Sequence, residues 1–227
     1  MDFLTPEFFS AVGFPATICI YMLFGVNKTM KELTIAIHQL TTDINWREIK
    51  RAGIDFAICR SSYGKKHFDE TFQRNVEQAH RAGLICGAYH YSYAMTPDDA
   101  RAEADYCKWV IEGSGVMLEL PVFFDIEDGD NYKYTHGFDF SRRNVTNICR
   151  AFLDRIKPLN AGVYASLSWI EDLIDWRSLN CPIWNAQYYK RDFFQGYMWQ
   201  YTDALKIGGK QFDGNILYDE IDRPQSV

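Results

Sequence analysis

PVFFDIEDGD, residues 121–130, reads as a buried strand that runs into a cluster of carboxylates. A proline and three apolar residues lead into Asp125, Glu127, Asp128 and Asp130. Side chains alternate along a strand, so Asp125 and Glu127 face the same way, with Cα atoms ~6.5–7 Å apart. Carboxyls that close raise each other's pKa, and one then keeps its proton near neutrality. An acid beside an anion is the arrangement that glycosidic cleavage requires. A solvated acidic loop is the plainer interpretation, and it suits the DGD of 128–130. For Asp125 and Glu127 the chemical interpretation is preferred, because of the pattern on either side.

That pattern is a strand–helix alternation beyond Asp43. INWREIKRAG reads as a short helix, IDFAICRSSYG as a strand and FDETFQRNVEQAHRAG as an amphipathic helix. LICGAYHYSY is a strand, and TPDDARAEADYCKWVIEG opens like a helix, with a Thr cap and an acidic first turn. After LPVFFDIED come the helix FSRRNVTNICRAFLDRI, the strand NAGVYAS and the short helix LSWIEDLIDW. CPIWNAQY, GYMWQYTD and DGNILYDE are late strands with almost no room for helices between them. Alternation implies parallel pairing, and repeats of this size imply a barrel or a doubly wound sheet. No GxGxxG follows an early strand, which argues against a dinucleotide fold. The expected fold is therefore α/β, a modified TIM-like barrel with helix-poor last strands. In such barrels reactive groups sit at the C-terminal strand ends, where Asp125 and Glu127 fall. Neighbouring strands end in YHYSY (89–93), WNAQYY (184–189) and WQYTD (199–203), aromatics and amides suited to a sugar groove.

Composition excludes some partners. The chain has 227 residues, 47% of them hydrophobic and 16% aromatic, with a net charge of −6 and no long basic run. Nucleic acid is not an expected partner. The six cysteines are scattered and form no CxxC, so buried free thiols are preferred to disulfides or zinc. No HxxxH spacing occurs among the five histidines, and no metal or cofactor is predicted.

The first forty residues differ. Phe8 to Val26 carries no charge, close to the ~20 residues that span a bilayer as a helix. Asp2 and Glu7 precede it where a secretory signal would be basic. Lys28 and Lys31 follow, which would leave the C-terminal part cytoplasmic. Residues 1–40 are expected to form either a membrane anchor, with membrane contact through 8–26, or a segment packed on the main domain that supplies a grafted first strand. Residues 41–227 then form the catalytic barrel.

DINWREIKRAGIDFAICRSSYG, FQRNVEQAHRAGLICGAYHYSYA, AEADY, LPVFFDIED, GVYAS, PIWNAQY and MWQYTD, in this order from about residue 43, resemble the glycoside hydrolase family 25 lysozymes, the N-acetylmuramidases of bacteria and phages. The stretch GFPATICIYMLFGVNKTMKELTIAI resembles the short YvrJ-type membrane peptides. The lysozyme resemblance implies a modified barrel and cleavage of the β-1,4 bond between N-acetylmuramic acid and N-acetylglucosamine in peptidoglycan glycan strands. It implies that Glu127 is the acid/base, and that Asp125 positions the substrate's acetamido group or stabilises the transition state. It places Tyr89, Tyr91, Trp184, Gln187 and Tyr201 in the substrate groove. It also implies action on the bacterial cell wall, by an enzyme either membrane-associated or held in the host cytoplasm until lysis.

Two departures stand out. The family opens with a strand reading D-x-S, but here Ala36 takes the Asp place and His38 the Ser place. The family's late G-N-V-D-x-N reads GNILYDE, which puts Leu217 at the Asp place, with Asp213 and Asp219 nearby. They motivate an alternative, a wall-binding module with an impaired site. A phosphate-handling barrel using KIGGK (206–210) is a third reading. If Leu33–Leu40 forms the first strand, Ala36 should sit near the barrel mouth.

Overall fold

The computed structural model describes residues 32–37 and 43–218. Strand β1 (Glu32–Ile37) is followed by α1 (Trp46–Arg51), β2 (Phe56–Tyr63), the short β3 (His67–Phe68), α2 (Phe72–Arg81), β4 (Ile85–Tyr91) and α3 (Pro97–Ser114). Then come β5 (Val122–Asp125), the short α4 (Tyr132–Thr135), α5 (Arg142–Arg155), β6 (Ala161–Ser166), β7 (Ile183–Ala186), β8 (Met198–Ile207) and β9 (Lys210–Leu217). Between β6 and β7 lie only a π turn (Trp169–Leu173) and a 3-10 turn (Trp176–Ser178). The later strands are as helix-poor as the sequence implies.

Pairing is parallel from β1 to β2, β4, β5, β6, β7 and β8 in turn. Strand β9 then returns antiparallel between β8 and β1 and closes the barrel. A tight turn makes that return: Gly208 and Gly209 both have positive φ, at 58° and 75°, the backbone of a two-residue hairpin turn. The glycines of KIGGK are therefore accounted for by chain reversal. The phosphate-loop reading loses the feature that suggested it.

Period-two alternation divides the side chains into two sets. Ala57 and Cys59 of β2 face the helices, while Phe56 and Ile58 face the lumen. On β5, Val122, Phe124 and then Ile126 pack outward, and Phe123 packs inward. Lumen residues Ala36, Phe56, Ile58, Leu120, Phe123, Tyr164, Trp184, Met198 and Leu217 form one packed cluster. It is a filled core, as in other small barrels. At Gly87 a Cβ would lie 2.7 Å from Ile58 Cδ1, so only glycine leaves room for this packing. Helix α3 shows the expected start: Thr96 and Asp99 form a reciprocal capping box, with Pro97 at the first helical position.

Strand β1 lies within the segment set apart by the sequence. It pairs with both β2 and β9, and Ala36 faces the lumen at 6% exposure. The stretch 8–26, His38 and Asp219 lie outside the described residues. Among the described residues no helix is long and apolar enough to cross a membrane. Cys59, Cys86, Cys107 and Cys149 are buried and free, and Cys181 is partly exposed and free.

Candidate active site

Asp125 ends β5, in register with Tyr91 of β4 and Tyr164 of β6. The backbone stays clamped beyond the strand: Ser92 N–H donates to Asp125 O at 2.9 Å, and Ile126 N–H donates to Tyr164 O at 3.0 Å. Ile126 is fully buried on the outer side, so Asp125 and Glu127 alternate with it toward the mouth. Asp125 is 5% exposed and Glu127 is half-buried. A Cβ added to Gly129 would lie 3.4 Å from Glu127 Oε1 and 3.7 Å from the Tyr91 hydroxyl. Chain, acid and phenol thus meet around Gly129.

Beneath them lies a buried cation. Lys133 is 1% exposed, and its Nζ donates to the Ser92 carbonyl and, at 2.8 Å, to the Glu127 carbonyl. Asp128 places it there, because its carboxylate accepts from the N–H groups of Lys133 (2.7 Å) and Tyr134 (3.0 Å). Asp130 accepts from the Tyr93 hydroxyl and Tyr132 N–H. The DGD stretch is exposed at Gly129 and Asp130, as a solvated loop would be, and its two carboxylates also brace α4 and the aromatic rim.

The electrostatics follow from burial and neighbours. Burial pushes Asp125 well above the usual carboxylate range and Glu127 adds to this, while Lys133 and Arg60 pull it back. Glu127 is also raised, by burial first; Lys133 opposes this, and Asp130 and Asp128 reinforce it. Asp125 Oδ1 is buried and has no hydrogen-bond partner among the described residues, which leaves an acceptor free for a ligand.

The groove residues named from sequence separate into groups. Tyr89 and Tyr91 lie near the acids: burial first raises both hydroxyls, Asp125 adds to that of Tyr89, and Glu127 and then Asp125 add to that of Tyr91. Trp184 is 2% exposed and lies inside the lumen, against Tyr164 and Phe123, with Nε1 donating to Asn215 Oδ1 at 2.9 Å. It forms the floor beneath the groove. Gln187 is 4% exposed, and its side-chain oxygen accepts from Phe193 N–H, so it ties down the loop after β7. Tyr201 packs with Trp199 on the outer face of β8, and the inward neighbour is Gln200. The Gln200 Oε1 accepts from the hydroxyls of Tyr164 (2.9 Å) and Tyr188 (2.8 Å).

Sequence reasoning left out Tyr164, Arg60 and Lys133, and took in Tyr188 and Gln200 only as members of the strand-end stretches WNAQYY and WQYTD. The inward parity of β8 and β6 would have indicated Gln200 and Tyr164, whereas Lys133 gives no local signal. Behind β4 buried polar side chains form a network, in which His90 Nε2 lies 3.4 Å from Glu103 Oε2 but has no hydrogen-bond partner among the described residues. Glu103 accepts from Ser92 Oγ (2.7 Å) and Tyr93 N–H (3.0 Å), and His90 Nδ1 lies 2.8 Å from Ser62 Oγ. This holds the strand end that carries Tyr91 and Tyr93. A cavity of about 550 Å³ continues from that rim, lined by Tyr93, Tyr132, Lys66 and His67 among others.

Closed parallel strands, paired raised-pKa carboxyls at their C-terminal ends and an aromatic rim define the class of barrel glycosidases. The sequence profile of the glycosyl hydrolases family 25 matches residues 35–210, and the chain belongs to that family. Residues 8–42 match the YvrJ protein family. The chain is 27% identical to Lysozyme M1 of Streptomyces globisporus over 183 residues, 75% of this chain and 61% of that protein; it spans about three fifths of that relative's length. The bacterial lysozyme of Streptomyces coelicolor is similar in structure, with a TM-score of 0.68 and 25% identity over 84% of this chain and 94% of that one. The modular autolysin LytC of Streptococcus pneumoniae, solved with a synthetic peptidoglycan ligand, has a TM-score of 0.73. That match covers 82% of this chain and 46% of that one, and its 22% identity speaks for the fold alone.

Proposed function

We propose that the protein is a muramidase that cleaves the β-1,4 bond between N-acetylmuramic acid and N-acetylglucosamine in peptidoglycan. One observation carries this reading: Asp125 and Glu127 share the lumen mouth, and burial raises both pKa values. Glu127, the more exposed of the two, donates its proton to the leaving glycosidic oxygen. Asp125 then holds the substrate's 2-acetamido group while the carbonyl oxygen of that group attacks the anomeric carbon and the bond to the protonated leaving oxygen breaks. Water opens the resulting ring, with Glu127 as base. Direct attack by Asp125 is the other route open to this geometry. Tyr89 and Tyr91 line the groove; Trp184 and Gln187 support its floor and one loop. Tyr201 acts from the outer face and has no direct substrate contact.

The substrate places the protein at the cell wall. For the N-terminal region we propose that residues 8–26 contact a membrane and that the chain from Glu32 onward belongs to the barrel. Support comes from the uncharged stretch, the YvrJ match and the pairing of β1 on both edges. Deleting residues 1–27 should then leave a soluble, folded chain. Aggregation or unfolding of that truncation would make the stretch part of the barrel core.

The wall-binding alternative keeps one observation in its favour, because Leu217 is a fully buried lumen residue rather than an acid. Digestion of purified peptidoglycan, with the new reducing ends identified, separates the two. Reducing N-acetylmuramic acid supports the muramidase reading. Tight wall binding with no new ends supports the module.

A further inference from the structure

We propose that Glu103 of α3, which lies behind the sheet and touches no substrate, is a positioning residue of this site. Its buried carboxylate fixes the main chain of both acids, Asp125 and Glu127, through Ser92 and Lys133. The inference rests on the glycosidase reading above.

Glu103 is the acid of AEADY (102–106). It stands on the helix face of Ala100, Ala104 and Cys107, and all four are fully buried. A carboxylate in an apolar stripe is costly unless it is paired and hydrogen-bonded. Its partners all belong to the end of β4 and the residues just beyond. Ser92 Oγ donates to Oε2 at 2.7 Å, and Tyr93 N–H donates to Oε1 at 3.0 Å. His90 Nε2 lies 3.4 Å from Oε2. On the other side of His90, Nδ1 lies 2.8 Å from Ser62 Oγ. The β2–β4 register shifts between Arg60 and Ser62, and Ser61 and Ser62 are both buried there. Bulges of this kind re-aim strand ends beside active sites.

Ser92 carries the hold forward. Its side chain is on Glu103, its N–H donates to Asp125 O at 2.9 Å, and its carbonyl accepts from Lys133 Nζ. The same Nζ donates to Glu127 O at 2.8 Å. One residue thus links Glu103 to the main chain of both acids. Charge follows the same path. Lys133 is faced by Glu103 from α3, by Asp125 at the end of β5, and by Asp128 and Asp130 from the loop; it also acts on Glu127. Burial pulls the Lys133 ammonium below its usual range, and Glu103 is the leading charge that holds it up. Asp125 and Glu127 are the reacting pair, and Asp128 and Asp130 reach solvent. Glu103 alone among these anions is fully buried and outside the proton transfer.

The test uses the full chain, with rates on soluble peptidoglycan fragments so that kcat and KM separate. Glu103→Leu removes both acceptors and the charge. It should lower kcat about 10- to 100-fold, the scale for displaced reacting groups, with KM within about threefold. Glu103→Gln keeps an oxygen for Tyr93 N–H but leaves the Ser92 hydroxyl proton without its acceptor, and should recover part of kcat. Ser62→Ala loses a His90 contact without touching Ser92. It should lower the melting temperature and leave kcat unchanged. A second readout needs no cleavage: the side-chain carbon beside Lys133 Nζ, followed by NMR as pH is raised and assigned with Lys133→Met. Both Glu103 variants should move its midpoint to lower pH, because the lost anion favoured the ammonium. A folded Glu103→Leu with wild-type kcat would overturn the proposal, as would a loss confined to KM or an unmoved Lys133 midpoint. So would a Ser62→Ala variant whose kcat falls as far as that of Glu103→Leu, since the effect would then be general destabilisation. If Glu103→Leu does not fold, Glu103→Gln decides: lower kcat with a lower Lys133 midpoint supports the assignment, and a wild-type value of either overturns it. A wild type that cleaves no peptidoglycan would sink the muramidase reading instead. The Lys133 midpoint then decides alone, and an unmoved one dismisses Glu103.

Discussion

The parallel arc β2–β7 and the return, in which β9 runs antiparallel between the parallel strands β8 and β1, solve the same problem in opposite ways. In the arc each strand climbs to the mouth and delivers chemistry at its last residues, as Asp125 and Tyr91 do. In the return, β9 descends, so the residue at the mouth comes first and the floor residue last. The same inward column that ends in an acid on β5 begins with one on β9. Strand direction therefore decides which end of a motif is chemically relevant, and the arc and the return should respond differently to substitution.

The largest effect belongs to the arc. Glu127→Gln removes the transferable proton with little change in volume and should lower the rate by about 10²–10⁴. Its burial-raised pKa means that the native acid stabilises fully only at low pH and loses that contribution as pH rises through its folded value. The Gln variant should therefore match wild type in melting at low pH and exceed it at neutral pH. Asp125→Asn should cost about 10²–10³, because an amide cannot stabilise a developing cation. A nearly silent Asp125→Asn would mean that the paired-carboxyl account is wrong.

An intermediate effect is expected beneath the pair. Lys133→Met leaves two buried carbonyls without their donor, at about 1–3 kcal/mol each. Lys133 holds both acids down, so its loss should move the alkaline limb to higher pH. An unmoved limb would show that the cation does not act on the pair. The smallest effect should come from the outer face of the return. The Tyr201 hydroxyl is buried without a partner among the described residues, so Tyr201→Phe should leave the rate within about twofold and stability unchanged or slightly higher. A large loss of activity there would reverse the inward–outward assignment of β8.

Much of the arc was legible because its signals are local. Hydrophobic alternation marked the strands, the Thr96 cap marked a helix start, and DIE marked an acid pair at a strand end. The return was less legible for physical reasons. A motif read by spacing alone took WQYTD as a rim, yet a one-residue change in parity exchanges lumen for exterior. The family resemblance carries Tyr201 into the groove, whereas the parity of β8 turns Gln200 inward. Trp184 reads as a groove aromatic in sequence, and only packing with Phe123 and Tyr164 shows it to be the floor. Lys133 sits in an acidic loop and would ordinarily be a surface residue. It is buried because Asp128 caps the turn that carries it, a contact that no composition or periodicity reveals.

The central claim is that burial at the barrel mouth keeps a carboxyl protonated for transfer to the leaving oxygen. Following the Glu127 side-chain carbon by NMR as pH is raised tests it most directly, with Glu127→Gln used to assign the signal. The account predicts a midpoint above the ordinary value of 4.5, held up first by burial and then by Asp130 and Asp128. A midpoint at or below 4.5 in the wild type would contradict it, because the mouth would then hold two anions and no acid.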